Sequence, residues 1–405
     1  MYEEIKQKRK SRWPKRAGIL LLMVLMLFIG FAGGQVLLIG GGGHGLNTLA
    51  VLKKLSLIEA YTDRFYLNDY DKELVEKGIY SGYMAGLNDP YAAYYTKEEF
   101  DDLKEEDSGE YRGIGITVYK DLSTGNVTIE QVMKDQPAYQ AGVKSGDIIT
   151  AVDEENVGEL TLTETVNLIK KGKKNSVVLS LIRGKESLEI KVKKTSIKIE
   201  TVTSEMKEGK IGYISVSQFI ENTDEHFIEA VDSLEKQGMT GLILDLRDNG
   251  GGLVDSCVNM VSRIIPKGEL IVYTEDKNEQ REEYSSNSDE TLDIPIVILV
   301  NGNSASASEI FTGCLKDYKA ATVVGSKTYG KGIVQNIMGL SDGSALKMTV
   351  SKYFTPKGND IHEVGIKPDV EVEMTDKQWE KARENESEDT QLKKACELLK
   401  NGNAK

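Results

Sequence analysis

The chain of 405 residues has few of the side chains on which metal and redox chemistry depend. Its three cysteines are widely separated, so they predict neither a disulfide framework nor the spacing of a metal site; they are Cys257, Cys314 and Cys396. The three histidines are His44, His226 and His362. We therefore expect no metal and no cofactor. A hydrolase with a histidine base would have to use His362, which lies in a predicted surface loop.

Acidic side chains outnumber basic ones outside the N-terminus. The net charge is −13, although residues 1–16 carry seven lysines or arginines against two glutamates. Since that tip contributes +5, the remaining residues carry −18. A domain that binds nucleic acid presents a basic face, so the acidic body argues against nucleic acid as a partner.

One long stretch, between Arg16 and Lys53, has no charge at all. Residues 17–39 within it are almost wholly apolar, close to the about 20 residues that span a bilayer. Because basic residues lie only on its N-terminal side, the N-terminus is predicted to be cytoplasmic and the rest extracytoplasmic. A cleaved signal peptide is the alternative, but its apolar region has about 7–15 residues. We expect an uncleaved anchor, with membrane lipid as a partner.

The remaining residues divide into four predicted parts. Residues 40–110 contain a glycine-rich linker and apolar residues at helical spacing, and residues 111–195 contain short β-rich runs. Residues 196–372 alternate between strands and helices, and residues 373–405 form a charged tail with an amphipathic helix. Strand–turn–helix repeats imply a mainly parallel sheet with its sites at the carboxyl ends of the strands. The helical region and the tail are candidate elements of a homodimer.

Three serines stand at the start of a predicted helix, in residues 303–310, directly after a predicted buried strand. The free N–H groups and the dipole of a helix N-terminus favour negative charge, as the oxyanion of acyl transfer requires. With Ser306 as nucleophile, the expected oxyanion donors are the N–H of Ala307 and one from Gly251 or Gly252. Taken alone, the segment favours helix caps, a common role of serine.

A lysine lies in a glycine-rich turn further along. Residues 325–331 fit the phosphate-binding loop, except that Gly332 stands where serine or threonine holds magnesium. The following residues, 333–337, favour a strand rather than the helix that such a loop opens into, so we expect no nucleotide. Lys331 is instead a candidate base for a serine, provided that burial lowers its pKa. Gln335 can accept a hydrogen bond from its amine without adding a charge that would raise that pKa.

Residues 137–149 resemble the most recognisable stretch of PDZ domains. The lead-in before them resembles the carboxylate-binding loop of those domains; it consists of Arg112, Gly113, Ile114 and Gly115. In such a loop free N–H groups hold a terminal carboxylate, and the adjacent strand edge accepts the peptide as an extra strand. A small β-barrel with ordinary glycine turns is the alternative.

Several motifs together resemble the C-terminal processing peptidases, or tail-specific proteases, of family S41. The resemblance runs in order from about residue 68 to 372 and rests on residues 87–91, 246–252, 303–310, 325–335, 352–356 and 365–370. It implies Ser306 as nucleophile, Lys331 as base and Gln335 as the partner that orients the base. It also implies an α/β core of the ClpP/crotonase type with an inserted PDZ-like domain. Asn88 and residues 359–360 depart from the family pattern, away from this set.

The resulting hypothesis is a membrane-anchored serine endopeptidase that cleaves the C-terminal region of exported polypeptides. The free C-terminus of the substrate would dock in the PDZ-like groove, and the chain behind it would reach Ser306. Docking is also expected to move the PDZ-like domain and to assemble the site. The alternative is a membrane-tethered PDZ scaffold with an inactive protease core, against which the intact Ser306, Lys331 and Gln335 speak.

Overall fold

The structure is a computed structural model that describes residues 45–121, 123–171 and 175–404. The basic tip and the anchor, predicted at 1–16 and 17–39, lie outside these residues. Within the described ranges, no helix is both long and apolar enough to cross a membrane. The anchor therefore stays a prediction.

The chain divides at Val75 into two compact units. In the first unit, the side chain of Asn47 caps helix α1 (Thr48–Phe65) by accepting a hydrogen bond of 3.1 Å from the N–H of Ala50. None of the residues of α1 is buried. Helix α2 (Lys72–Ala85) begins in the first unit and ends in the second. Helices thus form where the helical spacing predicts them, with a break at 66–71.

The second unit contains the remaining helices and all strands of the described residues. Its further helices are α3 (Lys97–Asp107), α4 (Pro137–Gln140), α5 (Leu162–Lys171), α6 (Thr223–Lys236), α7 (Val254–Ser262), α8 (Ala307–Tyr318), α9 (Asp376–Glu384) and α10 (Thr390–Lys400). The strands are β1 (Ala93–Tyr95), β2 (Glu110–Gly113), β3 (Ile116–Lys120), β4 (Val127–Val132), β5 (Ile148–Val152), β6 (Glu155–Asn156), β7 (Ser176–Arg183), β8 (Glu186–Lys193), β9 (Thr195–Lys198), β10 (Val202–Lys207), β11 (Ile211–Val216), β12 (Gly241–Asp245), β13 (Leu270–Asp276), β14 (Arg281–Ser285), β15 (Ile296–Val300), β16 (Thr322–Gly325), β17 (Ile333–Gly339), β18 (Ala345–Phe354) and β19 (Val370–Glu371).

A six-stranded sheet forms the centre of the core, in the order β10-β11-β12-β15-β16-β19. All neighbours in it are parallel except β10 and β11, so the predicted mainly parallel sheet is confirmed. Every residue of β12, β15 and β16 is buried. Unbroken runs of valine, isoleucine and leucine are typical of strands covered on both faces. Helices α6, α7 and α8 pack on one face, through Phe227, Cys257 and Phe311 among others, and α10 packs on the other.

A second, antiparallel sheet carries the turn of residues 326–332, which contains Lys331 and which we call the lysine turn. Its order is β1-β18-β13-β14, and β17 pairs with β18. Strand β17 begins at Ile333, two residues after Lys331, so the turn between β16 and β17 connects the two sheets. Tyr353 on β18 is buried in the core of the parallel sheet. This packing brings the lysine turn to the carboxyl ends of the parallel strands.

The PDZ-like domain has a sheet and a core of its own. The sheet order is β3-β4-β5-β7-β8, with β6 beside β5, and its core is a separate apolar cluster. Thr161 and Glu164 form a capping box at the start of α5, with bonds of 2.7 and 3.2 Å. Strand β3 lies at the edge of the sheet, which leaves one side open to an added strand.

Candidate active site

A cleft of about 210 Å³ lies at the carboxyl ends of the parallel strands. It brings together Ser306 at the start of α8, Lys331 in the turn before β17 and Gln335 on β17. Other parts of its wall come from the turn of residues 248–252, which we call the glycine turn, from α3 and from β18; these residues include Gly250, Gly252, Leu103, Asp107, Lys347 and Tyr353. Three of the sequence-predicted side chains therefore share one site.

Of the three serines at the start of α8, only Ser306 lines the cleft. Ser304 Oγ donates to the carbonyl of Leu246 at 2.7 Å, and Ser308 Oγ donates to that of Asn249 at 2.9 Å. Both are buried and tie the helix start to the glycine turn. Ser306 has a φ of 55°, a region that non-glycine residues seldom occupy and that often marks a functional site.

Glu309 links the serine to the lysine turn. Its side chain is fully buried, at 0% exposure, and its carboxylate accepts four hydrogen bonds. Oε2 accepts from the N–H of Ser306 at 3.0 Å and from that of Lys331 at 2.8 Å. Oε1 accepts from Thr328 Oγ1 at 2.6 Å and from the N–H of Gly330 at 2.8 Å. One carboxylate thus fixes the backbone of both candidate catalytic residues.

Tyr353 makes a second connection between the same two segments. Its buried hydroxyl lies 3.1 Å from the carbonyl oxygen of Ser306 and also within hydrogen-bond distance of that of Lys331. Sequence reasoning missed both Glu309 and Tyr353 as parts of the site. For Glu309 the only signal was its place three residues after Ser306, which also suits a capping box.

The half-buried amine of Lys331 is held in an environment that favours its neutral form. Burial lowers the pKa of Lys331 below its ordinary value, and the positive charge of Lys347 lowers it further, while Glu309 acts in the opposite direction. Nζ lies 4.8 Å from the ring centre of Tyr91. Within the described part of the chain, no hydrogen bond joins Nζ to Ser306 Oγ. In enzymes without substrate, such catalytic contacts are often long and tighten on binding.

Gln335 carries an unpaired polar group next to this lysine. Its Nε2 atom is buried and has no hydrogen-bond partner among the described residues. A register shift between Val334 and Gln335 interrupts the pairing of β17 with β18, and such bulges often aim a side chain at a site. The carboxamide can still accept an N–H of the neutral lysine amine through Oε1, as the sequence suggested, and this leaves the single lone pair of the amine free for the proton of Ser306.

In the glycine turn, Gly251 is excluded as one of the expected oxyanion donors. The N–H of Gly251 donates to Asn249 Oδ1 at 2.9 Å, so it is already used by the fold. A Cβ at position 251, where φ is 101°, would come 2.7 Å from Cβ of Ser306, so only glycine fits there. Gly252 lines the cleft, and Ala307 is the first residue of α8, where an N–H has no partner within the helix. Gly252 and Ala307 remain the candidate donors.

The four residues of the predicted carboxylate-binding loop fall into two pairs with different surroundings. Arg112 and Gly113 lie on β2, which pairs with β9 outside the PDZ-like sheet. The N–H of Arg112 donates to Glu105 of α3 at 2.9 Å, and its guanidinium donates to Asn175. Arg112 thus joins the PDZ-like domain to α3. Because its N–H and its guanidinium both have partners within the protein, it is a weaker candidate for peptide binding than the sequence suggested.

Ile114 and Gly115 keep the features of a carboxylate-binding loop. Their carbonyl groups accept hydrogen bonds from Ala138 and Met133, while in the described residues their own N–H groups have no backbone acceptor. Gly115 has a φ of 79°. The loop leads directly into β3, the open edge of the sheet. Free N–H groups beside an open edge are what a peptide C-terminus requires.

The alternative base, His362, is absent from the residues that line the cleft. It lies in a turn and is partly exposed, although its Nδ1 atom is buried without a partner in the described ranges. Its backbone lies against Gly332, which has no room for a Cβ there. Among the described residues, no group of three or more histidine, cysteine or acidic side chains is placed to hold a metal.

Sequence comparisons agree with this architecture. The profile of Peptidase family S41 matches residues 210–372, and that of the PDZ domain matches residues 128–184. A protein of Staphylococcus epidermidis, named Probable CtpA-like serine protease, is 37% identical over 359 residues, which are 88% of this chain and 72% of that protein. A protein of the same name from Staphylococcus aureus is 38% identical over 334 residues, 81% of this chain and 66% of that one.

The chain therefore belongs to peptidase family S41 and is a serine peptidase that carries a PDZ domain. Within that family it is similar to the CtpA-like serine proteases of staphylococci.

Two solved structures are each similar to 79% of this chain. An S41 protease of Bacteroides fragilis covers 79% of this chain and 90% of its own, with a TM-score of 0.52 and 16% identity. The photosystem II D1 C-terminal processing protease covers 79% and 86%, with a TM-score of 0.48 and 30% identity. The first likeness supports the S41 peptidase fold.

Proposed function

We propose that this protein is a membrane-anchored serine endopeptidase that uses Ser306 and Lys331 to cleave exported polypeptides near their C-termini. The observation that carries the proposal is the cleft in which Ser306, Lys331 and Gln335 meet beside Gly252. The apolar run 17–39 and its basic flank support an anchor with the catalytic part on the extracytoplasmic side.

Substrate binding begins at the PDZ-like domain. The terminal carboxylate accepts hydrogen bonds from the free N–H groups of Ile114 and Gly115. The residues before it add to the open edge of β3 as a further strand, which gives affinity without demanding one sequence. Residues further upstream then extend towards the cleft.

Acylation follows in the cleft. The neutral amine of Lys331 takes the proton of Ser306 Oγ as that oxygen attacks the scissile carbonyl carbon. The N–H groups of Ala307 and Gly252 stabilise the negative charge that develops on the carbonyl oxygen. The protonated lysine then gives its proton to the leaving amine, and the C–N bond breaks. Water then attacks the acyl carbon as Lys331 takes its proton, the C–O bond to Ser306 breaks, and Lys331 returns the proton to Oγ.

A tail-dependent substrate tests this proposal. We expect a peptide with a free C-terminal carboxylate to be cleaved at least about tenfold more efficiently than its C-terminal amide, since one hydrogen bond to a charged group contributes about 1.5–3 kcal/mol. The measurement is kcat/KM with the full chain in detergent, and Ser306→Ala supplies the background rate. Equal cleavage of the two peptides would refute the docking step. Tight binding of the free tail without any cleavage would favour the scaffold alternative.

Lys347 provides a test of the base through pH. Proton abstraction needs neutral Lys331, so kcat/KM should rise as pH passes upward through the pKa of that lysine. Because the charge of Lys347 lowers this pKa, Lys347→Met should raise it and move the rising limb to higher pH. The pH–rate profile measures the shift, and Lys347→Arg should preserve the wild-type profile.

A matched control for this shift lies on the same strand. Lys352 on β18 is 3.7 Å from Asp360 and does not line the cleft. Lys352→Met should therefore leave the limb in place. An unmoved limb in Lys347→Met would show that Lys331 does not set the pH dependence of the reaction.

A further inference from the structure

A buried cluster of charges lies behind the cleft and is not used by the reaction. Arg247 has a side-chain exposure of only 7%. Its Nε donates to Asp245 Oδ1 at 2.8 Å, and its Nη1 is 2.8 Å from Asp389 Oδ2. Asp245 also accepts from the hydroxyl of Tyr213 at 2.8 Å. Buried ion pairs are costly to break from one side, because the remaining charge loses its partner.

Three residues of the C-terminal tail converge on this one arginine. Trp379 of α9 places its ring centre 4.8 Å from the guanidinium carbon. Asp389 pairs with Arg247 and also caps α10, accepting from the N–H of Leu392 at 2.9 Å. Gln391 Oε1 accepts from Nη1 at 3.3 Å. Both helices of the tail and the cap between them therefore contact Arg247.

The residue after this arginine connects the same cluster to the serine segment. Asp248 has a φ of 59°, and its carboxylate accepts from Asn301 Nδ2 at 2.9 Å and from Asn303 Nδ2 at 2.8 Å. Arg383 of α9 lies 3.7 Å from its other oxygen. The glycine turn begins here, and Gly251 packs directly against Ser306. A continuous set of contacts thus runs from the tail to the nucleophile.

We infer that Arg247 is a positioning residue: clamped by Trp379 and Asp389 of the tail, it holds the glycine turn so that the N–H of Gly252 faces the oxyanion formed at Ser306. This role rests on the proposed Ser–Lys mechanism. It assigns part of the tail, expected from sequence as a charged helix or a dimer element, to the alignment of the active site. Substrate binding, which takes place at the PDZ-like domain, does not depend on the clamp.

Two variants remove the clamp while sparing the rest of the tail. Trp379→Ala removes the ring from the guanidinium and leaves every charge in place. Asp389→Asn removes the charge, and asparagine still serves as an N-cap for α10. We expect each to lower kcat about tenfold with KM unchanged, because loss of a complete oxyanion donor costs about 10²–10³-fold.

The control is a variant that weakens the tail without touching the clamp. Leu398 of α10 is 9% exposed and packs on the parallel sheet away from Arg247. Leu398→Ala should lower the melting temperature at least as much as Trp379→Ala but leave kcat near the wild-type value. If Leu398→Ala lowers kcat equally, the tail contributes stability alone and the inference is overturned.

The failure of this inference can be told apart from failure of the mechanism. Wild-type kcat in both Trp379→Ala and Asp389→Asn would overturn the clamp, while Ser306→Ala would still be inactive. Residual cleavage by Ser306→Ala would overturn the mechanism itself. The rate at which a fluorophosphonate labels Ser306 gives a readout without substrate, and we expect it to fall in both clamp variants and not in Leu398→Ala.

Discussion

Replacing Ser306 by alanine or Lys331 by methionine is expected to lower kcat/KM by about 10³-fold or more at neutral pH, since a general base alone contributes about 10²–10⁴-fold. Methionine keeps the length and the apolar stem of lysine but cannot accept a proton. Lys331→Arg should be equally inactive, because a guanidinium does not lose its proton in a protein. The assay is cleavage of a peptide with a free C-terminus, with melting temperature as the test of folding.

The same turn offers a matched control for this experiment. Lys327 is exposed, lies four residues before Lys331 and does not line the cleft. Lys327→Met should retain most of the wild-type activity. Full activity in Lys331→Met would show that another group acts as the base. His362→Ala would then be the next variant to measure.

The architecture was predictable wherever it depends on local pattern. The largely apolar runs 241–246 and 296–300 predict strands that agree with β12 and β15 to within one residue, and the serine segment predicts a helix from Ala307, the first residue of α8. The order of the motifs also predicted an S41 peptidase with a PDZ domain. The strands and the helix start follow from periodicity and turn chemistry, which neighbouring residues determine, whereas the family follows from the resemblance of the motifs.

The parts that sequence did not predict depend on contacts between distant segments. Glu309 accepts from Thr328, 19 residues away, and Lys347 reaches the cleft only because β18 pairs with β17. The position of Arg112 on a separate ribbon depends on its pairing with β9. Tertiary packing decides each of these roles, and no local pattern encodes it.

Glu309→Gln is expected to lower kcat by about 10²-fold and the free energy of unfolding by about 3 kcal/mol, because an unpaired buried donor costs about 1–3 kcal/mol and an oxyanion-hole defect about 10²–10³-fold. The amide nitrogen of glutamine is a donor and cannot accept. Whichever carboxylate oxygen it replaces, two of the four groups that now donate to Glu309 lose their acceptor. The backbone of Ser306 or of Lys331 would then shift.

A graded control separates this alignment from general stability. Thr328 Oγ1 donates to Glu309 at 2.6 Å and accepts from the N–H of Ile366 at 2.7 Å. Thr328→Val removes one of the four donors to Glu309, whereas Thr328→Ser keeps it. We expect kcat to fall in the order wild type, Thr328→Ser, Thr328→Val, Glu309→Gln, with KM nearly constant because the peptide tail binds elsewhere. Wild-type kcat in a folded Glu309→Gln would show that the serine and the lysine turn keep their positions without this carboxylate.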